Sequence, residues 1–325
     1  MLITNHISTE NFLASPIFEK LRKSERVLIA GAGGGFDIFA GVPLFLALRD
    51  AGKSVSLANL SFTNLRNTTA AEMMPSLFHV NHQTNGEPQY FPEQYLAQWL
   101  RQNELESDVY CFERSGVLSL RNAYQHLASK LNIDTLILID GGTDILMRGD
   151  EAGLGTPEED MLSLAATAEI EVPTKIVSCL GFGIDAYHGV CHAHFLENVA
   201  ALERLGGYLG AHSLHLSTTA VSMYRDAVEF AHAKMTNRQS IVNGSIVSAL
   251  EGNFGDYHRN ERARSSNLFI NPLMSMYWHF DLDAVAKQSH YLHLLEQATT
   301  YSEIQLTIEK FRNEVSLRPR REIPV

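Results

Sequence analysis

A four-residue apolar run, residues 27–30, places the strongest constraint on the fold, because it leads into a glycine loop and then a helical pattern. A short continuous run of this kind is typical of a strand buried on both faces, as in parallel sheets. The helical pattern opens near Asp37 and continues to Gly52, and residues 54–60 predict a second strand. Together these segments predict a βαβ unit.

The loop after the first strand has four glycines in five positions, which is more than a turn needs. They are Gly31, Gly33, Gly34 and Gly35. Bare backbone admits a close ligand, and a helix N-terminus attracts anions. The spacing is not the Gly-x-Gly-x-x-Gly of dinucleotide-binding loops, and Asp37 repels an anion unless a cation or ligand hydroxyl meets it. Two interpretations stay open: a ligand-binding loop that includes Asp37, or a tight turn with Asp37 as N-cap.

The order of strand, glycine and aspartate recurs along the chain. Strands are predicted at residues 108–112, 134–140 and 175–180, and helices at residues 118–131 and 192–205. This alternation predicts an α/β fold, a doubly wound and mainly parallel sheet in a Rossmann-like three-layer arrangement. Because the carboxyl ends of parallel strands meet at one edge, the loops at residues 33–37, 140–144 and 181–185 are expected to lie together.

The C-terminal third has a different pattern. Helices are predicted at residues 218–234, 239–250, 282–297 and 301–315, with a short strand at 268–270. Because no repeat or Pro-, Gly- or Ser-rich linker divides the chain, we expect a single α/β domain over residues 1–325. Its sheet core would cover residues 1–215 and a mainly helical elaboration residues 216–325. Residues 61–95 have little periodicity and are expected to cross the top of the sheet as a possible lid.

The second glycine loop combines carboxylates with bare backbone. Asp140 and Asp144, followed by Asp150 and Glu151, are carboxylates of the kind that hold Mg²⁺ beside substrate phosphates. Asp140 could equally bind ribose hydroxyls, and both aspartates could simply satisfy backbone N–H groups in their own turns. The ligand-binding candidates here are Asp140, Gly141, Gly142 and Thr143, and the possible metal ligands are Asp140 and Asp144.

The third loop leads into a segment rich in reactive side chains, residues 185–194. If helical, it places Asp185, His188 and His192 on one face. A neutral His188 oriented by Asp185 suits a general acid or base, and Asp144 is the third catalytic candidate. A zinc site on the two histidines lacks the intervening glutamate of the metalloprotease pattern, and a surface or structural histidine is the alternative.

A polar cluster begins within the predicted helix at residues 239–250 and continues into the loop after it. Its members are Asn243, Glu251, Asp256, Tyr257, His258, Arg259, Arg262 and Arg264. Arginines in this setting could grip a phosphate or carboxylate, and the alternative is a solvated loop. Asn243 and Arg262 are the ligand-binding candidates of this cluster.

Charge and hydropathy narrow the classes of partner. The formal charge of −11 and pI near 5.7 argue against a nucleic-acid-binding surface. No apolar run approaches the roughly 20 residues that span a bilayer, and residues 1–6 do not resemble a signal peptide. Three cysteines are few and odd in number, which argues against a disulfide framework. We therefore expect a cytoplasmic protein with a small-molecule ligand, no membrane or nucleic-acid partner, and a possible homo-oligomer.

These motifs resemble a prokaryotic family, Domain of Unknown Function 1152. The matching features are residues 31–37, residues 138–144, and the segment from Asn243 through Arg262 to Asn271 and Pro272. The likeness extends over most of the chain. It implies an α/β fold with glycine-rich loops.

A fainter likeness is to sirtuin-type NAD-binding domains. Residues 31–33 look like their Gly-Ala-Gly loop, and residues 41–43 look like their Gly-Ile-Pro segment. The chain departs from them at residues 44–46, where Leu-Phe-Leu replaces Asp-Phe-Arg, and it lacks the paired cysteines of their zinc module. The likeness implies a shared nucleotide-binding topology, with NAD or another nucleotide as ligand, and does not support protein deacylation.

The function that these features favour is an enzyme acting on a nucleotide-like or phosphorylated small molecule. The expected reaction is hydrolysis or group transfer at a glycosidic or phosphoryl bond, with Mg²⁺ as a possible cofactor. Redox chemistry is less favoured, because no acidic residue ends the second predicted strand to bind an adenosine ribose. The rival is a non-catalytic sensor that binds a nucleotide and changes its oligomeric state.

Overall fold

A nine-stranded sheet runs through the protein, in the strand order 3-4-5-2-1-6-7-11-8. The structure is a computed structural model that describes residues 15–106, 108–259 and 268–323. The strands are β1 (Arg26–Gly31), β2 (Ser54–Ser61), β3 (Ala71–Met74), β4 (Leu77–Val80), β5 (Val109–Glu113), β6 (Thr135–Asp140), β7 (Thr174–Leu180), β8 (Tyr208–Ser213), β9 (Gly255–Asp256), β10 (Phe269–Ile270) and β11 (Met276–Asp281). Strands β9 and β10 form a separate two-stranded sheet.

The sheet is mainly parallel. Its five central strands, β5-β2-β1-β6-β7, pair in parallel. Strands β4 and β11 pair antiparallel with both of their neighbours, so the other seven strands share one direction. The predicted α/β fold with a mainly parallel sheet is therefore confirmed.

Helices cover both faces of this sheet. They are α1 (Pro16–Lys23), α2 (Asp37–Ala40), α3 (Val42–Asp50), α4 (Pro92–Gln102), α5 (Val117–Leu131), α6 (Pro157–Ala168), α7 (His192–Arg204), α8 (Thr219–Lys234), α9 (Ile241–Leu250), α10 (Leu282–Gln288) and α11 (Tyr301–Glu314). Within β1, Val27 and Ile29 pack into one apolar cluster with α1–α4, α8 and α9. Leu28 and Ala30 pack into a second with α5–α7, α10 and α11. Burial on both faces explains why β1 is continuously apolar, and it confirms the three-layer arrangement.

The predicted helix after the glycine loop is divided in two. Helix α2 ends at Ala40 and α3 begins at Val42, with Gly41 between them. A Cβ at Gly41 would lie 2.7 Å from Cγ2 of Ile29, so the glycine lets the backbone pack directly against β1. The predicted helix at residues 282–297 is also shorter, because α10 ends at Gln288 and a 3-10 turn follows at Leu292–Leu294.

Four strands of the large sheet were not predicted. Strands β3 and β4 form a hairpin inside residues 61–95, and β8 and β11 complete the opposite side. Strand β11 lies between β7 and β8, so the C-terminal region is not only a helical elaboration but also part of the sheet. Within the described residues, no helix is long and apolar enough to cross a membrane.

Candidate functional site

A cavity of about 600 Å³ lies where the parallel strands β1, β6 and β7 end. The predicted site residues that line it are Gly33, Gly34, Gly35, Asp37, Asp140, Gly141, Asp144, Asp185 and His188. The three glycine–aspartate loops are thus brought together at one edge of the sheet. Gly31, Gly142, Thr143 and Asn243 lie behind this lining, and Arg262 and Arg264 fall outside the described residues.

Carboxylates dominate the floor of the cavity. Oxygens of Asp37, Asp140 and Asp160 lie within 4.8 Å of one another. Asp37 begins α2, Asp140 ends β6, and Asp160 lies in the first turn of α6. Asp160 was not predicted. Acidic residues are common on the surface at the start of a capped helix, and nothing in the sequence of α6 distinguishes Asp160 from them. Asp150 and Glu151 do not line the cavity and instead pair with Arg318.

Burial shifts the titration of this cluster. Desolvation, with smaller contributions from neighbouring carboxylates, raises the pKa of Asp37 to about 8, although the N–H of Gly33 opposes the shift. Burial followed by the charge of Asp144 also raises the pKa values of Asp140, Asp160 and Asp185 well above the ordinary range. Buried carboxylates this close cannot all ionise without a compensating charge. The cluster therefore favours bound protons or a bound cation.

The loop glycines make room for these carboxylates. A Cβ at Gly33 would lie 2.8 Å from Oδ1 of Asp160 and 2.9 Å from Oδ2 of Asp37. A Cβ at Gly141 would lie 2.8 Å from Oδ1 of Asp37, and one at Gly142 would lie 2.8 Å from Oδ1 of Asp185. Side chains at these three positions would displace the aspartates, so carboxylate packing explains why residues 33, 141 and 142 are glycines.

The N–H groups of the first loop are largely used within the protein. Gly33 donates to Oδ2 of Asp37 at 2.7 Å, and Gly35 donates to the carbonyl of Leu60 at 3.1 Å. Asp37 therefore binds back to its own loop, while Phe36 occupies the N-cap position of α2. The predicted N-cap role of Asp37 is thus wrong.

Asp144 and Asp185 hold neighbouring loops in place. Oδ2 of Asp144 accepts from the N–H of Thr156 at 2.8 Å and from its hydroxyl at 3.2 Å. Oδ2 of Asp185 accepts from the N–H of Thr143 at 2.6 Å and from its hydroxyl at 3.2 Å. Oδ2 of Asp140 accepts a weaker bond from the N–H of Ile145 at 3.3 Å. These hydrogen bonds connect the loops after β6 and β7 and the start of α6, which together form the rim of the cavity.

His188 lies exposed on this rim, at the end of a 3-10 turn, Ile184–His188. Burial raises the pKa of Asp144, and the charge of His188 acts in the opposite direction. The predicted helical face of Asp185, His188 and His192 does not form, because Gly189 adopts a φ of 92° and separates the turn from α7. Among the described residues, no hydrogen bond joins Asp185 to His188.

Asn243 supports the glycine loop from behind. Its Oδ1 accepts from the hydroxyl of Tyr224 at 2.8 Å, and its Nδ2 donates to the carbonyl of Phe36 at 3.2 Å and to Oγ of Ser240 at 3.1 Å. The residue is fully buried, so its amide fixes the start of α9 against the loop. A direct ligand contact by Asn243 stays a prediction.

A buried glutamate lies beneath the same loop. Nδ2 of Asn59 donates to Oε1 of Glu93 and to the carbonyl of Gly35, both at 2.7 Å. Burial raises the pKa of Glu93 to about 7, against the lowering effect of its hydrogen bonds. The sequence offered no signal for this residue, which lies in the first turn of α4.

Two arginines and two aromatic rings border the cavity mouth. The guanidinium of Arg114 lies 5.1 Å from the ring centroid of Phe62, and that of Arg238 lies 5.9 Å from the ring centroid of Tyr90. Phe62 and Tyr90 belong to the segment predicted as a possible lid. The mouth is therefore partly basic, whereas the floor is acidic.

Comparison with known proteins bears on this architecture. A family model described as "Protein of unknown function (DUF1152)" matches residues 28–315. The chain belongs to the DUF1152 family. The matched range contains all three glycine–aspartate loops and every cavity-lining residue. Searches of curated proteins and of solved structures found no match, and the sirtuin likeness finds no support in these comparisons.

Gly33→Ala is expected to destabilise this DUF1152 protein by about 1–3 kcal/mol, because the new methyl group would press on Asp37 and Asp160. Gly244→Ala is the matched control. It lies inside α9 with its nearest atom at an ordinary 3.5 Å, so it should be neutral or stabilising by up to about 1 kcal/mol. Urea unfolding measures both variants, and equal stability of Gly33→Ala and wild type would contradict the packing role.

Glu93 should make the stability of the DUF1152 chain depend on pH. Its pKa is about 7 in the folded state and 4.5 in the ordinary state, so its stabilisation is complete below pH 4.5 and is lost as pH rises through 7. Glu93→Gln keeps the acceptor for Asn59 but removes the titration. The variant should therefore gain about 3 kcal/mol relative to wild type between pH 4.5 and pH 8.

The measurement is urea unfolding of both proteins across this pH range, with the exposed Glu87→Gln as control. A difference between Glu93→Gln and wild type that stays constant with pH would show that Glu93 titrates alike in the folded and unfolded states.

Proposed function

We propose that this DUF1152 protein is an enzyme that catalyses hydrolysis or group transfer at a phosphoryl or glycosidic bond. Its substrate would be a nucleotide-like or phosphorylated small molecule. The observation that supports this is the convergence of three strand-end loops, with their carboxylates and His188, on one cavity. In parallel α/β sheets, ligands bind at this edge. A volume of about 600 Å³ is within the range of small-molecule sites.

The residues supply groups for acid–base chemistry near neutral pH. His188 is exposed on the rim, where an imidazole can take or give a proton. The charge of His188 opposes the effect of burial on the pKa of Asp144, and Asp185 accepts a hydrogen bond from the N–H of Thr143. We assign His188 the proton transfer, Asp144 an electrostatic interaction with His188, and Asp185 the positioning of the second loop.

The acidic floor of the cavity restricts which ligands can bind there. A phosphate would be repelled by the carboxylates unless a cation such as Mg²⁺ accompanied it. A ribose or other sugar could instead donate its hydroxyls to carboxylates such as Asp140 without any metal. Arg114 and Arg238 at the mouth would attract an anionic substrate, including NAD or another nucleotide, toward the cavity.

A thermal-shift screen of nucleotides, NAD and sugar phosphates, each with and without Mg²⁺, tests the substrate class. A true ligand at about 100 times its dissociation constant should add roughly 2.7 kcal/mol to the free energy of unfolding. A response that requires Mg²⁺ favours phosphoryl chemistry, and a metal-independent response favours glycosidic chemistry. No response to any of these compounds would contradict the proposal.

The catalytic assignment is tested on whichever compound responds. His188→Asn should lower turnover by about 10²–10⁴-fold, as the loss of a proton-transfer group does, and Asp144→Asn should also lower turnover, because it removes a carboxylate that interacts with His188. His126→Asn, an exposed histidine on α5, is the control and should leave turnover unchanged. Unchanged turnover in both site variants would refute their catalytic roles, whereas tight binding without turnover in wild type would favour a nucleotide sensor.

A further inference from the structure

Three carboxylates on the cavity floor have the arrangement of a cation site. We propose that Asp37, Asp140 and Asp160 together bind one hard divalent cation. They come from three different elements, α2, β6 and α6, and offer one oxygen each within 4.8 Å of the others. Side chains from separate elements meet in this way only when the folded sheet edge holds them, so the cluster is built by the tertiary structure.

An unpartnered oxygen points to a missing ligand. Asp160 is 1% exposed, and its Oδ1 has no hydrogen-bond partner among the described residues. Buried carboxylate oxygens are normally satisfied, since an unsatisfied one costs free energy. This oxygen and Oδ2 of Asp37 lie 2.8 and 2.9 Å from a single point, the position that a Cβ of Gly33 would occupy. Both oxygens therefore lie next to the glycine loop at the edge of the cavity.

Within the described residues, no lysine, arginine or histidine forms an ion pair with Asp37, Asp140 or Asp160. The nearby guanidinium of Arg114 instead faces Glu159, with 3.4 Å between Nη1 and Oε1. A bound cation would supply the compensating charge. Asp37 is only partly buried and lines the cavity, which gives an ion a route to the cluster.

The donor set selects the class of ion. All three ligands are carboxylate oxygens, which suit Mg²⁺, Mn²⁺ and Ca²⁺, whereas zinc sites in proteins usually include histidine or cysteine. The site differs from the predicted pair Asp140 and Asp144, because the oxygens that lie within 4.8 Å of one another belong to Asp37, Asp140 and Asp160. A role for the ion in substrate binding rests on the proposed function, but ion binding itself needs no substrate.

Binding is measured by titrating Mn²⁺ into the full-length protein, freed of metal with EDTA, and following the paramagnetic signal of free Mn²⁺. We expect one Mn²⁺ per chain, displaced by Mg²⁺ or Ca²⁺. Asp160→Asn should weaken the affinity by at least about tenfold, since it removes a ligand charge at nearly constant shape. Asp226→Asn, an exposed carboxylate on α8, is the matched control and should bind as wild type does.

A second variant distinguishes the loss of an ion ligand from misfolding. Asp37→Asn keeps an oxygen acceptor for the N–H of Gly33 while removing the charge, so it should fold and also lose affinity. Circular dichroism checks the fold of each variant, and removal of an uncompensated buried charge should leave the melting temperature of the metal-free protein unchanged or higher. A wild type that binds no Mn²⁺ at about 10 mM, or folded variants with wild-type affinity, would overturn the site.

The ion site and the proposed function can fail separately. Mn²⁺ binding that depends on Asp160, without a response to any nucleotide or sugar phosphate, supports the site and contradicts the proposed function. A ligand response that persists in EDTA, in a protein that binds no Mn²⁺, overturns the site and supports metal-independent chemistry in the same cavity.

Discussion

The concentration of negative charge at the carboxyl edge of the sheet is the constraint on which the rest of the site depends. Burial raises the pKa values of five aspartates there, so the fold keeps carboxyl groups buried that would be solvated on an ordinary surface. Backbone N–H groups from Gly33, Thr143 and Thr156 offset part of this cost through hydrogen bonds. Glycines make those hydrogen bonds possible, because the absence of a Cβ lets each carboxylate approach the backbone.

The loops themselves are held by residues that never meet the cavity. Asn59 and Glu93 fasten the glycine loop from the side of β2 and α4, and Asn243 fastens it from α9. Because these contacts are buried, the loop is supported on several sides by hydrogen bonds in a low-dielectric environment. A site whose loop is supported in this way is suited to holding a ligand in one geometry.

Much of this architecture is visible in the sequence, and the reasons are physical. Strands β1, β6 and β7 are buried on both faces, so each appears as an apolar run, and parallel strands place their following loops on one edge. Asp160 and Glu93 were not predicted from the sequence, because acidic residues are common in the first turn of a helix. Strand β11 is missed because Met-Tyr-Trp-His-Phe-Asp has no apolar alternation. The shared face of Asp185, His188 and His192 was conditional on a helix, and the positive φ of Gly189 ends the turn before α7 begins.

The position of β11 has a consequence for the order of folding. Within the described residues, β8 pairs only with β11, and 62 residues, 214–275, separate the end of β8 from the start of β11. On the ribosome, β8 and the edge of β7 that faces β11 therefore stay unpaired until β11 has emerged. Long-range pairing of this kind is slow, and open strand edges recruit other chains. The last part of the sheet to form is thus the part most exposed to misassembly during synthesis.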